Sequence, residues 1–360
     1  MHFAFSDQQT EFRDTVRQVL AKECTADDLR AAFEHPSAHT PRWDVLAELG
    51  VVGLSVPEGQ GGLGLGLVDL VLLLEEAGRV SLPEPLLETT ALAVPLLADL
   101  LGSGGPGVAA GAEERLGAIT AGRVTAALGT VDGGPDPAAI AGADGADLLV
   151  LYTPGDGDGP ELHVVDGAVV TVRSVSSLDP TRRLGIPHWS PTAETRVLSG
   201  PGAASAWRTT NDRAAVATAA ELLGLADRMI TLAADYARER HQFGKPIGSF
   251  QAVKHLLAGA QVRLEFARPA VYGAAWSLDQ TGPAAPPASA ASRAASTAKA
   301  YASDAATEAA RVSLQVHGAI GYTWECDLQL FMKRAWALAE AWGSAADHRA
   351  LVLESLVAGD

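Results

Sequence analysis

The chain has 360 residues, enough for two or three structural units with a large buried core. Its 43 acidic against 27 basic side chains give a net charge of −16, which repels a polyanion such as nucleic acid and requires any anionic ligand to find a local basic pocket. Only Cys24 and Cys326 occur, without CxxC or Cys/His clustering, which fits buried small apolar residues in a reducing cytoplasm and argues against a zinc site.

The N-terminal stretch MHFAFSDQQTEFRD lacks a basic segment followed by an apolar one, and no apolar run is long enough to span a bilayer. The expectation is a soluble, cytoplasmic protein. Ser6 with Gln9 forms a capping-box pattern, after which Phe12, Val16, Val19 and Leu20 share one helical face. Leu46, Leu49, Val52 and Leu54 continue an apolar stripe to the breaker Pro57. Gly59, Gly61 and Gly64 have the spacing G-x-G-x-x-G, but they follow no strand, so residues 59–66 read as a loop before an apolar helix over residues 67–78.

Beyond Leu101 the composition shifts to Gly, Pro and Asp, and the apolar segments become short and β-branched, at residues 123–128, 147–152, 162–165 and 168–172. Turn clusters GGPDP and PGDGDGP separate them, which predicts a small antiparallel β unit. Long alanine-rich helices then follow over residues 216–240, 251–278 and 290–316, with a fourth helix or a pair over 327–357. The Pro-rich TGPAAPPA of residues 281–288 reads as the turn between the second and third. The resulting order is helices, strands, then a four-helix bundle: a mainly α protein with a small β domain.

Two stretches carry chemistry. Arg240 closes a helix and is followed by His241, Gln242, Phe243, Gly244 and Lys245, after which Pro246 ends helical geometry. An arginine there, near Arg238 and Lys245, suits bidentate binding of a diphosphate, while Phe243 and Gln242 offer a ring face and an amide to a flat heterocycle. The same residues equally suit a basic helix C-terminus complementing the helix dipole. The second stretch is QVHGAIGYT, residues 315–323. No H-E-x-x-H motif occurs among the nine histidines, and the single H-x-x-x-H spacing, His35 to His39, carries Pro36 within it, which speaks against a helical metal site. Trp324, Trp336 and Trp342 recur near helical spacing and suit core or interface packing.

RERHQFGKPIGSFQAVKH at residues 238–255, QVHGAIGYTWECDLQLFMKRA at 315–335 and LAELGVVGLSVPEGQGGLGLGLVDLVLLLEEAGR at 46–79 are together similar to the acyl-CoA dehydrogenase family in order and spacing. The resemblance spans almost the whole chain. It implies an N-terminal helical domain (1–115), a reduced central β domain (116–203) and a C-terminal four-helix bundle (204–360). It also implies FAD shared across a subunit interface. Arg240, Gln242 and Phe243 would contact the pyrophosphate and adenosine, and Gln315, Val316, His317, Gly318 and Ala319 would line the same cofactor. Gly318 matches a glycine whose position a side chain would block, while Ala319 replaces a second glycine. His241 and His317 are further candidates for hydrogen bonds to phosphate.

The catalytic parts depart from the family. Aligning MKRAWALAEAWGSAADHR places Trp342 where a carboxylate base commonly stands, and the alternative location holds Ala214 and Ala215. Neither position can take a proton, so no catalytic residue is assigned. Glu340 lies two residues from Trp342 and so about 200° around a helix, pointing away; Asp347 is the other nearby carboxylate. A flavin-ring loop of the T-E-P-x-x-G-S-D type is missing between Leu116 and Gly200, and RSVSSLDPTRRLG at residues 173–185 resembles only a later strand.

This combination resembles the non-catalytic subunits of bacterial heteromeric dehydrogenases of α2β2 type, among them those of steroid side-chain β-oxidation. It implies a homologous partner subunit that supplies the base, the flavin-ring pocket and the acyl-CoA cleft. An electron-transferring flavoprotein or equivalent acceptor would reoxidise the complex. The acyl group, steroid or fatty, is not legible. Two other readings stay open at this point: an independent homotetrameric flavoenzyme with altered chemistry, and a structural bundle protein that has lost FAD.

Overall fold

In the computed structural model, residues 4–37, 39–103, 106–132, 134, 137–155, 159–281 and 285–358 are described. Parts of the predicted turns GGPDP, PGDGDGP and TGPAAPPA lie outside them. The chain divides into two compact units: Met1–Arg30, Val71–Leu82 and Ala215–Asp360 form one, and Ala31–Leu70 with Pro83–Ala214 form the other.

The first unit is helical. Helix α1 (Asp7–Glu23) starts on the predicted capping box, Ser6 Oγ accepting from Gln9 N and Gln9 Oε1 from Ser6 N. Helix α4 (Leu67–Arg79) brings its last turns here, and α7 (Gly200–Glu239), α8 (Gln251–Asp279) and α9 (Ala288–His317) are the long helices of the bundle. The predicted fourth element is a pair, α10 (Leu328–Glu340) and α11 (Ala345–Ala358). Helices α8, α10 and α11 pack on α9. Helix α7 is tied to its neighbours by Ser313 Oγ donating to Met229 O at 2.9 Å and by the Arg228 guanidinium 5.6 Å from the Phe331 ring centroid.

Alanine dominates these interfaces because a small side chain lets two helix backbones approach. Ala298, Ala302, Ala305 and Ala309 of α9 are buried. At the contact of α4 with α7 even alanine is too large. A Cβ on Gly224 would stand 1.8 Å from Glu75 O, and one on Gly78 2.0 Å from Glu221 O.

A buried ionic cluster ties α1, α4, α7 and α8. Arg17 forks onto Glu76 at 2.8 and 2.6 Å, while Arg268 pairs with Glu75 and reaches Asp227 at 3.1 Å. Tyr272 Oη donates to Glu75 at 2.5 Å, and burial pushes the Glu75 carboxyl above its usual range.

The second unit holds the end of α2 (Ala26–Glu34, which crosses the boundary after Arg30), α3 (Pro41–Glu48), a π-helical turn (Leu87–Ala93), α5 (Val94–Ser103) and α6 (Pro106–Thr120) beside the strands. Strands β1 (Ala126–Thr130), β2 (Leu148–Thr153), β3 (Glu161–Asp166) and β6 (Arg196–Ser199) form one sheet in the order β1-β2-β3-β6. Strands β4 (Thr171–Ser174) and β5 (Gly185–His188) form a separate antiparallel pair. The sheet departs from the all-antiparallel expectation at one edge, where β1 pairs parallel with β2. Ala127, Ile140, Leu149, Leu151 and Val165 fill its core.

Four further differences from the sequence reading have identifiable causes. Helix α6 follows a Gly/Pro-rich lead-in that suggested a loop. Strand β5 contains Pro187 and β6 is four residues long, so neither gave a clear strand signal. Residues 168–169, predicted as strand, sit in a 3-10 turn (Gly167–Val169). Helix α7 begins at Gly200 rather than near residue 216: Thr209, Thr210, Asn211 and Asp212 are weak helix formers, but burial of Ala203 and Trp207, the latter stacked 5.2 Å from Tyr152, overrides propensity.

Candidate functional site at one end of the helical bundle

Helix α7 ends at Glu239, and the chain at once turns back as a two-stranded hairpin, β7 (His241–Gln242) against β8 (Lys245–Pro246). Phe243 and Gly244 are its two turn residues, with φ of 54° and 79°. Positive φ at both central positions is the geometry of a two-residue hairpin turn matched to strand twist. Glycine adopts it without penalty; phenylalanine does not. The hairpin base is fixed by Ile247 N donating to Arg240 O at 2.8 Å, and the following turn lies close enough to α7 that a Cβ on Gly248 would stand 2.9 Å from Ala237 O.

The side chains on this hairpin face outward. Phe243 is 91% exposed, touching Phe250 only edge-on with centroids 6.1 Å apart. Arg240 and Gln242 are exposed as well, Gln242 Nε2 donating to the neighbouring His241 carbonyl at 2.8 Å. Arg238 pairs with Asp235 and Lys245 Nζ sits 4.4 Å from the Phe250 ring centroid, whereas among the described residues Arg240 forms no ion pair. Its five N–H donors are therefore open to an external acceptor. His241 Nδ1 lies 2.9 Å from Glu239 O, which ties that ring to its own backbone.

The second predicted stretch ends α9 and meets the first through one aromatic contact. His317 stacks on Tyr236 with centroids 4.6 Å apart and planes 19° from parallel, and its Nδ1 lies 2.8 Å from Ser313 O. Tyr236 stands one helical turn before Arg240, so the two stretches share one end of the bundle. The side chains of Val316 and His317 are buried, while Gln315 and Ala319 are exposed. Gly318 has φ 63° and ψ −139°, a conformation that only glycine adopts freely. A Cβ built on it would meet nothing within 4 Å. Within this chain, then, the glycine serves backbone geometry, and the space its missing side chain leaves is open to a ligand.

Two features were missed in the sequence, and Trp324, expected at helical spacing for packing, is placed differently. Tyr236 was legible as a residue but its partner lies across the bundle. Trp324 falls in the loop before α10, 64% exposed, under Lys333 Nζ at 4.1 Å from its centroid, and Tyr322 beside it is 79% exposed. Lys299, fully buried, holds the turn that follows α10 by donating to Ala339 O at 2.9 Å and Gly343 O at 3.0 Å.

That turn is where a base was sought. Trp342 takes φ 57° and its carbonyl lies 2.9 Å from His348 Nε2. Asp347 is committed to capping α11: Ser344 N and Oγ donate to it at 2.9 and 2.8 Å, which lowers its carboxyl pKa. Glu340 is the exposed last residue of α10. Ala214 and Ala215, the other base position, are buried in α7. Among the described residues no helix is long and apolar enough to cross a membrane.

Comparison with known proteins agrees with the fold. The profile of the acyl-CoA dehydrogenase C-terminal domain matches residues 202–357, and that of the N-terminal domain matches residues 6–102. The chain is 33% identical to the acyl-CoA dehydrogenase IpdE2 of Mycolicibacterium smegmatis, covering 94% of this chain and 95% of that one. It is also 33% identical to the acyl-CoA dehydrogenase FadE34 of Mycobacterium tuberculosis over 92% of its own length but only 45% of that protein's. The solved structure of a variant of the Tcur3481-Tcur3483 steroid ACAD superposes with a TM-score of 0.84 at 26% identity, covering 98% of each chain. The chain belongs to the acyl-CoA dehydrogenase family, FAD-dependent oxidoreductases acting on CH–CH groups.

Proposed function

We propose that this chain is the cofactor-holding, non-catalytic subunit of a heteromeric acyl-CoA dehydrogenase. The observation that carries the reading is an asymmetry within one bundle. At one end, the unpaired Arg240 and the exposed, left-handed Phe243 are offered to an external group. At the turn after α10, where the base belongs, stands an indole.

The residues present fit the adenosine and pyrophosphate end of FAD. Arg240 supplies bidentate donors for phosphate, Phe243 a ring face for adenine, and Gln242 and Gln315 amides at the edges. Gly318 and Ala319 leave room for close approach, with Val316 and His317 contributing backbone. When bound, FAD would supply the hydride acceptor for Cβ of an acyl thioester, with a partner carboxylate as the acceptor of the α-proton. This chain's part is to bind and orient the non-reacting end of the cofactor. The division at residues 1–115, 116–203 and 204–360 belongs to the same reading.

A homologous partner, in an α2β2 arrangement, supplies the carboxylate, the flavin-ring pocket and the acyl-CoA cleft. Two comparisons support it. FadE34 is more than twice the length this chain matches, leaving room for a second unit of similar size in one polypeptide. The Tcur3481-Tcur3483 protein is named as a pair and as a steroid ACAD, which favours a steroid-derived acyl group over an ordinary fatty acyl group. An electron-transferring flavoprotein or equivalent acceptor reoxidises the complex.

The test is flavin absorbance after expression alone and with a sibling dehydrogenase. A colourless chain alone and a yellow complex is the expected result. Yellow, turning-over protein without a partner would establish the independent flavoenzyme instead, and no flavin in either preparation the structural bundle. Within the complex, Arg240→Ala should strip FAD while leaving the assembly intact by gel filtration; unchanged flavin content defeats the assignment.

A further inference from the structure

The second unit contains a cavity of about 480 Å3 that the cofactor reading does not use. It lies where the segment before α3, the turn before β2 and the β4–β5 connection meet. His39, Asp144, Ser174, Ser176 and Arg183 line its polar side, with Val175, Pro180 and Leu184 on the apolar one. Its volume is in the range that encloses a small organic ligand.

Arg183 is the unusual member. It is 7% exposed and takes a left-handed conformation, φ 46° and ψ 56°, uncommon for a side-chain-bearing residue. Among the described residues Arg183 donates to one acceptor, Asp144 O, 2.7 Å from Nη1, while Nε is buried without a partner and Nη2 has none. No carboxylate lies within ion-pair distance of it among those residues. Burial pulls the guanidinium pKa below its ordinary value, more than the carboxylates of Glu88, Asp144, Asp147 and Glu84 restore at a distance.

Three of those carboxylates are already served. Asp144 accepts from Ser174 Oγ at 2.5 Å; Asp147 accepts from Thr125 N, Thr125 Oγ1 and His39 Nε2; Glu84 takes the Arg42 fork. A buried cation with no carboxylate in direct contact is costly, and strain kept at such a position points to a ligand rather than to packing.

We propose that this cavity binds a small organic carboxylate, its oxyanion held by Arg183 Nη2 and the free hydroxyl of Ser176 and its apolar body against Val175 and Leu184. A carboxylate fits better than a phosphate ester. Asp144 and Asp147 tolerate one compensating negative charge opposite Arg183 but repel a dianion. The inference is independent of the cofactor assignment, since none of these residues belongs to the bundle end.

The experiment titrates the full chain with benzoate, benzamide and inorganic phosphate at constant ionic strength and follows the unfolding temperature. Benzoate should stabilise saturably, with benzamide and phosphate well behind, and Arg183→Gln should weaken the benzoate response about ten- to hundredfold. Equal responses to benzoate and benzamide, a preference for phosphate, or an unchanged response in the variant overturn the proposal. Should Arg183→Gln fail to fold, wild-type crystals grown with 4-bromobenzoate decide the matter. Bromine density in the cavity with the carboxylate on Nη2 supports the site, and its absence there rejects it.

Discussion

Replacing Phe243 by glycine separates function from folding more sharply than any other change at the hairpin. Left-handed backbone costs a side-chain-bearing residue about 1–2 kcal/mol, which glycine recovers. Against that, glycine loses about 0.5–1 kcal/mol more conformational entropy on folding, and the edge contact with Phe250 is worth about 0.5–1.5 kcal/mol. The ring is 91% exposed, so almost no buried area is lost. The terms cancel to within about 1 kcal/mol, so urea unfolding of the Phe243→Gly chain should fall close to wild type. Cofactor retention should not. Stacking of an aromatic side chain on a base contributes about 1–3 kcal/mol, so the co-expressed complex should hold FAD about 5- to 150-fold more weakly. Dialysis followed by fluorescence of released flavin measures this. A stability loss above about 2 kcal/mol would make the ring a structural element; wild-type flavin retention would remove it from the cofactor site.

Gly224→Ala places a methyl 1.8 Å from Glu75 O and 2.6 Å from Arg79 N, and should destabilise by about 2–3 kcal/mol in denaturant. Gly273→Ala in α8, with nothing within 4 Å of the new Cβ, should be neutral or stabilising by up to about 1 kcal/mol, so equal effects would refute the close-approach argument. Lys299→Met leaves the carbonyls of Ala339 and Gly343 without their donor while removing a buried charge, for a net loss of about 2–4 kcal/mol by urea unfolding. His348 is buried with its pKa lowered, chiefly by desolvation, and its Nδ1 has no partner. The stability this neutral ring contributes is complete above the unfolded-state value near about 6.5 and is lost as pH falls through the lower folded value. His163, lowered by burial too, adds to the same acid-side loss. The unfolding midpoint should therefore drop below about pH 6.5, and His348→Gln should make that drop shallower; parallel profiles would contradict the assignment.

What the sequence revealed follows from range. Capping chemistry and helical periodicity are local, so α1, α4, α8 and α9 were legible to within a few residues at each end. The parallel pairing of β1 with β2 was not, although the long connection through residues 131–147 is the kind a parallel pair requires. At the site, Arg240 and Phe243 stood out by type and neighbours. The hairpin turn could also have been foreseen, since Phe-Gly between His241-Gln242 and Lys245-Pro246 leaves only two linking residues. Gly318 was singled out for close approach, but the backbone angles supply a second and independent reason. Lys299, the Tyr236–His317 stack and the unpaired Arg183 depend on which residues meet across elements, and no periodicity encodes that.

The bundle end and the turn after α10 have opposite designs, and the contrast argues for selective loss of chemistry rather than general decay. The turn at Trp342 is closed: Lys299 holds the Gly343 carbonyl, His348 the Trp342 carbonyl, and Asp347 the start of α11. Lys299, Asp347 and one ring nitrogen of His348 are thus committed to structure, and an indole stands at the base position. The hairpin is anchored at its base by Arg240 O and by the approach of Gly248 to α7, yet its tip keeps a strained phenylalanine in water and an arginine without a counter-ion. A protein that used this end only as packing would lose nothing by replacing Phe243 with glycine and would gain by pairing Arg240. Strain persists where the surroundings over-determine it and something outside the chain rewards it. The proposed cofactor end, presented by another subunit, would meet both conditions, and on that reading the missing carboxylate and the open hairpin are one arrangement rather than two accidents.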